Sequence, residues 1–134
     1  MSTVPTRAAA ESDPAREARD LKAQGRLDEA LDAHLRDVAA RPSSAIAEHN
    51  LASTLGDLSR FAESADAARR ALTKGSTAPE TQIVLARALQ GLLQLDEAED
   101  AFRRALELRP DYLDAHQDLA QLRWMRTGDL GHAA

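Results

Sequence analysis

Four histidines, at positions 34, 49, 116 and 132, and several adjacent carboxylates have the widest chemical range in this 134-residue sequence. An imidazole ligates metals or moves protons near neutral pH, and two of them four residues apart on one helix would make half a zinc site. No two of these histidines have that spacing. HExxH, GxSxG and a glycine-rich phosphate loop are also missing. His34 falls within an apolar periodic stretch and reads as a partly buried helix contact. His49 has no second ligand or carboxylate set beside it, His116 stands near the start of the last helix, and His132 lies in the tail. The pairs Asp28-Glu29, Asp96-Glu97 and Glu99-Asp100 fall in the first turns of predicted helices, where negative charge meets the helix dipole favourably. Arg69-Arg70 and Arg103-Arg104 sit toward helix C-termini for the complementary reason. No catalytic residue, metal ligand or cofactor site is expected, and the chain does not read as an enzyme.

The elements that must carry these residues are set by composition and period. Hydrophobic residues make up 43% of the chain but aromatics only 3%, so the core has to be built from Leu and Ala. Small side chains of that kind let helices approach closely, and the scarcity of β-branched residues removes support for strands. A net charge of −5 without a basic, aromatic-studded stripe argues against nucleic acid. With no cysteine there is neither a disulfide nor a thiolate metal site. No run of apolar residues is long enough to span a bilayer, and the opening MSTVPTRAAAESDP lacks a signal-peptide core. These features predict a cytoplasmic protein, and the excess of Arg over Lys with abundant Ala fits a high-GC bacterial coding sequence.

The clearest local pattern is LDEAEDAFRRALELRP, where Leu95, Ala98, Phe102, Ala105, Leu106 and Leu108 recur at spacings of three and four before Pro110 ends the helix. Moved back by 34 residues, this stretch falls on FAESADAARRAL at 61–72, with Glu, Asp, Arg-Arg and Ala-Leu coincident. A second step of 34 reaches RLDEA at 26–30, with Pro42 under Pro110. The chain therefore divides into a disordered leader at 1–12, blocks 11–44, 45–78 and 79–112, a helix at 113–127 and a flexible tail at 128–134. Seven helices are predicted, near 14–24, 27–40, 44–57, 61–73, 78–91, 95–108 and 112–126. Asp13-Pro14 should open the first, a capping box in Thr77-Ala-Pro-Glu80 the fifth, and Asp111 the seventh. Short turns require consecutive helices to pack antiparallel.

A helix–turn–helix unit repeating every 34 residues resembles the tetratricopeptide repeat. The family's three small-residue crossings are matched by Ala18, Ala30 and Asp37, by Ala52, Ser64 and Ala71, and by Ala86, Ala98 and Ala105, with Ala120 continuing the series. Its larger apolar positions are matched by Leu21, Leu51, Leu55, Leu85, Leu89 and Leu119. Departures include Glu17 where Leu is usual, Asp37 where Ala is usual, Ser76 for a proline, and loss of the inter-helix glycine except at Gly25. The resemblance spans about 11–130 and implies an all-α, right-handed α-solenoid of about seven helices.

It also implies a function. First helices of these repeats line a concave groove that holds a protein or peptide segment. Carried onto this chain, the groove residues are Arg16, Arg19 and Lys22, then His49, Asn50 and Ser53, then Ile83, Val84 and Arg87, then Gln117 and Gln121. The cations at one end would favour a partner with acidic residues. Of the residues by which some members clamp a chaperone's acidic C-terminus only Asn50 matches, while Ala15, Glu80 and Val84 do not, so that ligand is not expected. Leu122, Trp124 and Met125 would give the last helix an apolar outer surface for a second copy of the chain or another segment. An alternative places the array before the catalytic part of a longer bacterial enzyme, similar to putative 2-oxoglutarate/iron oxygenases.

Overall fold

The computed structural model describes residues 13–128. They form seven helices: α1 (Pro14–Ala23), α2 (Leu27–Ala40), α3 (Ala45–Asp57), α4 (Phe61–Thr73), α5 (Pro79–Gly91), α6 (Leu95–Leu108) and α7 (Leu113–Thr127). Each packs on its sequence neighbours, and α3 also touches α5, so the helices stack as a solenoid of three hairpins and a closing helix. Among the described residues no helix is long and apolar enough to cross a membrane. The expected leader and nearly all of the expected tail lie outside the described residues.

Asp13 opens α1 as the sequence implies, its side chain accepting from the Ala15 amide at 3.0 Å with Pro14 in the first turn. Ser44 does the same for α3, accepting from the Ala47 amide at 3.0 Å. Two expected caps are not made. Pro79 opens α5 and forces an extended Ala78 before it, which puts Thr77 one residue too early to cap. The Arg109–Tyr112 turn, closed by a 3.1 Å backbone hydrogen bond, places Tyr112 at the cap of α7 and leaves Asp111 in the loop.

Within each hairpin the chain reverses through one left-handed residue: Gly25 (φ 77°), Ser59 (φ 60°) and Leu93 (φ 62°). The same 2.9 Å bond closes all three turns, from Arg26 to Leu21, Arg60 to Leu55 and Gln94 to Leu89. Loss of the glycine therefore leaves the turn standing with a strained side chain on it. Leu93 is 73% exposed and its side chain contributes little packing to offset that strain. Leu93→Gly should stabilise the array by roughly 1 kcal/mol. A Tm that rises by a few degrees would show it, and a fall would mean that Leu93 makes contacts outweighing its conformational cost.

The nine small-residue crossings are all buried. The two polar ones are satisfied where they stand. Ser64 donates to the Ala52 carbonyl at 2.8 Å, and Asp37 accepts a fork of two 2.8 Å bonds from Arg41 one turn later. A second internal rule sits on Arg36, Arg70 and Arg104, which recur at intervals of 34 residues. Arg70 reaches back from α4 to Glu48 on α3 (3.0 Å), Arg104 from α6 to Gln82 on α5 (3.2 Å), and Arg36 from α2 to Glu17 on α1. Glu17, which departs from the usual Leu, is thus the counter-charge of the first hairpin's cross-helix arginine.

Ala120 breaks the series. Its equivalents Ala18, Ala52 and Ala86 are buried because a second helix crosses them, whereas Ala120 is exposed on α7, which has no such helix packed on that face. Arg123 stands exposed where Leu21, Leu55 and Leu89 sit in the earlier hairpins.

Candidate functional site

The first helices of successive hairpins meet along one surface, stitched by side-chain bonds at nearly constant sequence offset. From α1, Lys22 donates to Ser53 of α3 at 3.0 Å and pairs with Asp57 at 3.0 Å. From α3, His49 Nδ1 meets the Thr81 hydroxyl of α5 at 3.0 Å, and that hydroxyl meets Ser76 at 2.7 Å. From α5, Arg87 bonds Asp118 of α7 at 2.7 Å, and Gln90 approaches the Met125 sulfur at 3.0 Å. Ser76, standing where the family has a proline, extends this chain of bonds to Thr81, which a proline side chain could not do.

Two clefts open on this surface. One lies between α1 and α3, has a volume of about 300 Å³, and is lined by Arg19, Lys22, His34, His49, Asn50 and Ser53. The other lies at the α5–α7 end, has a volume of about 470 Å³, and is bordered by Phe61, Arg87, Leu93, Asp118, Gln121 and Met125. Burial holds the His49 imidazole below its ordinary pKa, with Lys22 adding to the effect and Glu80 opposing it. His34 is lowered in the same way, by burial and then Lys22, against Asp37. Both rings are accordingly neutral at pH 7.

The structure brings five of the expected groove residues, Arg19, Lys22, His49, Asn50 and Ser53, into the first cleft. Arg87 and Gln121 border the second, while Arg16 and Gln117 are exposed outside both, and Val84 is half-buried against the core. Ile83 is a correction: it is 2% exposed and belongs to the core, because α5 is covered on that side by its neighbours. Leu122 is a second one. It is fully buried, turned inward on α7 with Ala115 and Leu119, so the end surface keeps only Trp124 (46% exposed) and Met125 (42%). His34, expected as a partly buried helix contact, is buried on α2 and also reaches the floor of the first cleft. Its spacing on a second helix gave no hint of that, since the helices bordering a groove cannot be read from one helix's period. Among the described residues no cluster of three or more His, Asp or Glu could hold a metal ion.

Residues 79–122 match the family model described as tetratricopeptide repeat. The whole stack resembles the first tetratricopeptide domain of human RPAP3, with a TM-score of 0.81 and 23% identity over 86% of this chain and 91% of that one. The fold of the stack is that of a tetratricopeptide-repeat domain. A similar likeness holds to the first such domain of Spaghetti (RPAP3), solved with the HSP90 peptide SRMEEVD, with a TM-score of 0.81 and 24% identity over 85% of this chain and 90% of that one. The array also resembles part of the Thermobaculum terrenum O-GlcNAc transferase, with a TM-score of 0.76 and 25% identity over 81% of this chain but 21% of the enzyme. No curated protein matches the sequence.

Proposed function

We propose that this array binds a protein segment along the surface formed by α1, α3, α5 and α7, and that its N-terminal end selects acidic residues. The observation that carries this reading is the cleft between α1 and α3, walled by cations and hydrogen-bond donors. Similar folds solved with peptides, such as the Spaghetti domain with its HSP90 peptide, support a peptide-sized occupant. The ligand there is not transferred to this chain, because Ala15, Glu80 and Val84 stand where chaperone-tail clamps carry other residues. Such a surface offers side-chain pockets for specificity and polar groups for the segment's backbone. The reading as part of a longer enzyme draws no support from the likeness to the transferase, which covers only 21% of that chain. Pairing of two copies through α7 is not part of this reading, since Leu122 is core and, of the three residues expected at that end surface, Trp124 and Met125 remain.

Lys22 is already held by Asp57 and Ser53, so the mobile charge belongs to Arg16 and Arg19. Affinity for an acidic peptide should fall as salt rises, and Arg16→Glu with Arg19→Glu should abolish it while circular dichroism is unchanged. Fluorescence anisotropy with a labelled acidic peptide reads both effects, and equal binding by the reversed variant would place recognition elsewhere.

A further inference from the structure

His34 is 4% exposed, and its Nδ1 is buried with no hydrogen-bond partner. A buried polar atom left unserved is costly, and the third hairpin shows the inexpensive alternative, with Phe102 at the equivalent place. An imidazole here serves no bond inside the fold. It forms instead the floor of the α1–α3 cleft.

Every polar side chain lining that cleft can donate. Arg19 has no ion-pair partner among the described residues and contributes a free guanidinium. Ser53 accepts from Lys22, which frees its own proton for the cleft. His49 spends Nδ1 on Thr81 and keeps Nε2, and Asn50 adds its amide. No carboxylate lines the space; Asp57 holds Lys22 from outside it. We propose that this cleft binds a phosphoryl group carried on the segment in the groove, a proposal that rests on the groove reading above. A carboxylate presents two oxygens in one plane, whereas these donors come from α1, α2 and α3 and so approach from three sides. That arrangement suits the three terminal oxygens of a phosphoryl group. An arriving dianion also offsets the positive field of Lys22 at the two rings. His34, which faces Lys22 from α1 and Asp37 from its own helix, and His49, which faces Lys22 and Glu80 from α5, should then take up protons more readily.

The test is histidine side-chain NMR on the full chain, titrated with inorganic phosphate and, at equal ionic strength, with acetate. Phosphate should move the His34 and His49 signals saturably and shift their titration to higher pH, whereas acetate, meeting the same cations with only two oxygens, should act far more weakly. Arg19→Gln should weaken phosphate roughly tenfold. His34→Phe, which installs the ring that Phe102 already places in the third hairpin, should fill the floor and abolish the response at His49. No saturable response, an equal response to acetate, or an unchanged affinity in Arg19→Gln would overturn the proposal. If His34→Phe fails to fold, Arg19→Gln decides alone. Loss of phosphate binding with salt-dependent capture of an acidic peptide intact would leave the groove reading standing. Phosphate binding without peptide capture would overturn that reading instead.

Discussion

Phe102→Ala should cost about 3–5 kcal/mol, the largest effect of any single truncation in this chain. Phe102 is the largest fully buried side chain, and the residues around it in the core are mainly Ala and Leu, too short to close the cavity. Repeat arrays are stabilised by nearest-neighbour interfaces, so the loss should be felt first in α5, α6 and α7. Thermal unfolding followed by circular dichroism should then broaden or split as the C-terminal hairpin melts ahead of the rest. A Tm lowered by less than a few degrees would mean that the helices around Phe102 collapse onto the space, and that the third hairpin is less tightly packed than its buried crossings indicate.

The second large effect comes from Glu48, whose side chain is 2% exposed on α3. Burial raises its pKa, but hydrogen bonds from Lys74 (2.6 Å) and Arg70 (3.0 Å) outweigh it, and the net displacement is downward. A carboxylate lowered on folding adds stability above its ordinary pKa of 4.5, and that contribution is lost as pH falls through the folded value. Acid should therefore destabilise the array progressively below about pH 4.5. Removing both cations by Arg70→Met with Lys74→Met leaves a buried charge uncompensated, at a cost of about 3–5 kcal/mol at neutral pH. In the double variant Glu48 protonates readily, so its deficit relative to the unmodified chain should shrink as pH falls. A deficit equal at neutral pH and at about pH 3 would show that the two cations act by packing and not by charge.

The repeat was legible because its signal is periodic and redundant. Nine small residues in register, the charge and Ala-Leu positions shared by the second helices and the Pro42–Pro110 phase all carry the same message, and helix ends fell within a residue or so of their expected places. Caps were less legible, since Thr77 and Asp111 have the right chemistry but lost their positions to Pro79 and Tyr112. Cross-helix partners were not legible at all. Arg70 and Arg104 read as dipole charges until the facing helix supplied Glu48 and Gln82, and nothing in the sequence pointed from Arg36 to Glu17. The site shows the same division. The family's groove positions, carried onto the first helices, include Arg19, Lys22, His49, Asn50 and Ser53 of the first cleft, but they could not tell that Ile83 and Leu122 turn inward or that His34 comes through from behind. Those facts depend on which neighbour covers which face, and a single helix's sequence does not contain its neighbour.

The claim that the surface of α1, α3, α5 and α7 receives a protein segment is tested most directly by amide chemical-shift mapping. The isotope-labelled full chain would be titrated with an acidic peptide that it binds in a salt-dependent manner. Shifts should concentrate on Arg16, Arg19, His49, Asn50 and Ser53 and continue toward Arg87 and Gln121, with the second helices α2, α4 and α6 quiet apart from His34. Shifts centred on the outer residues of those second helices, such as Leu35 or Asp66, would contradict the account.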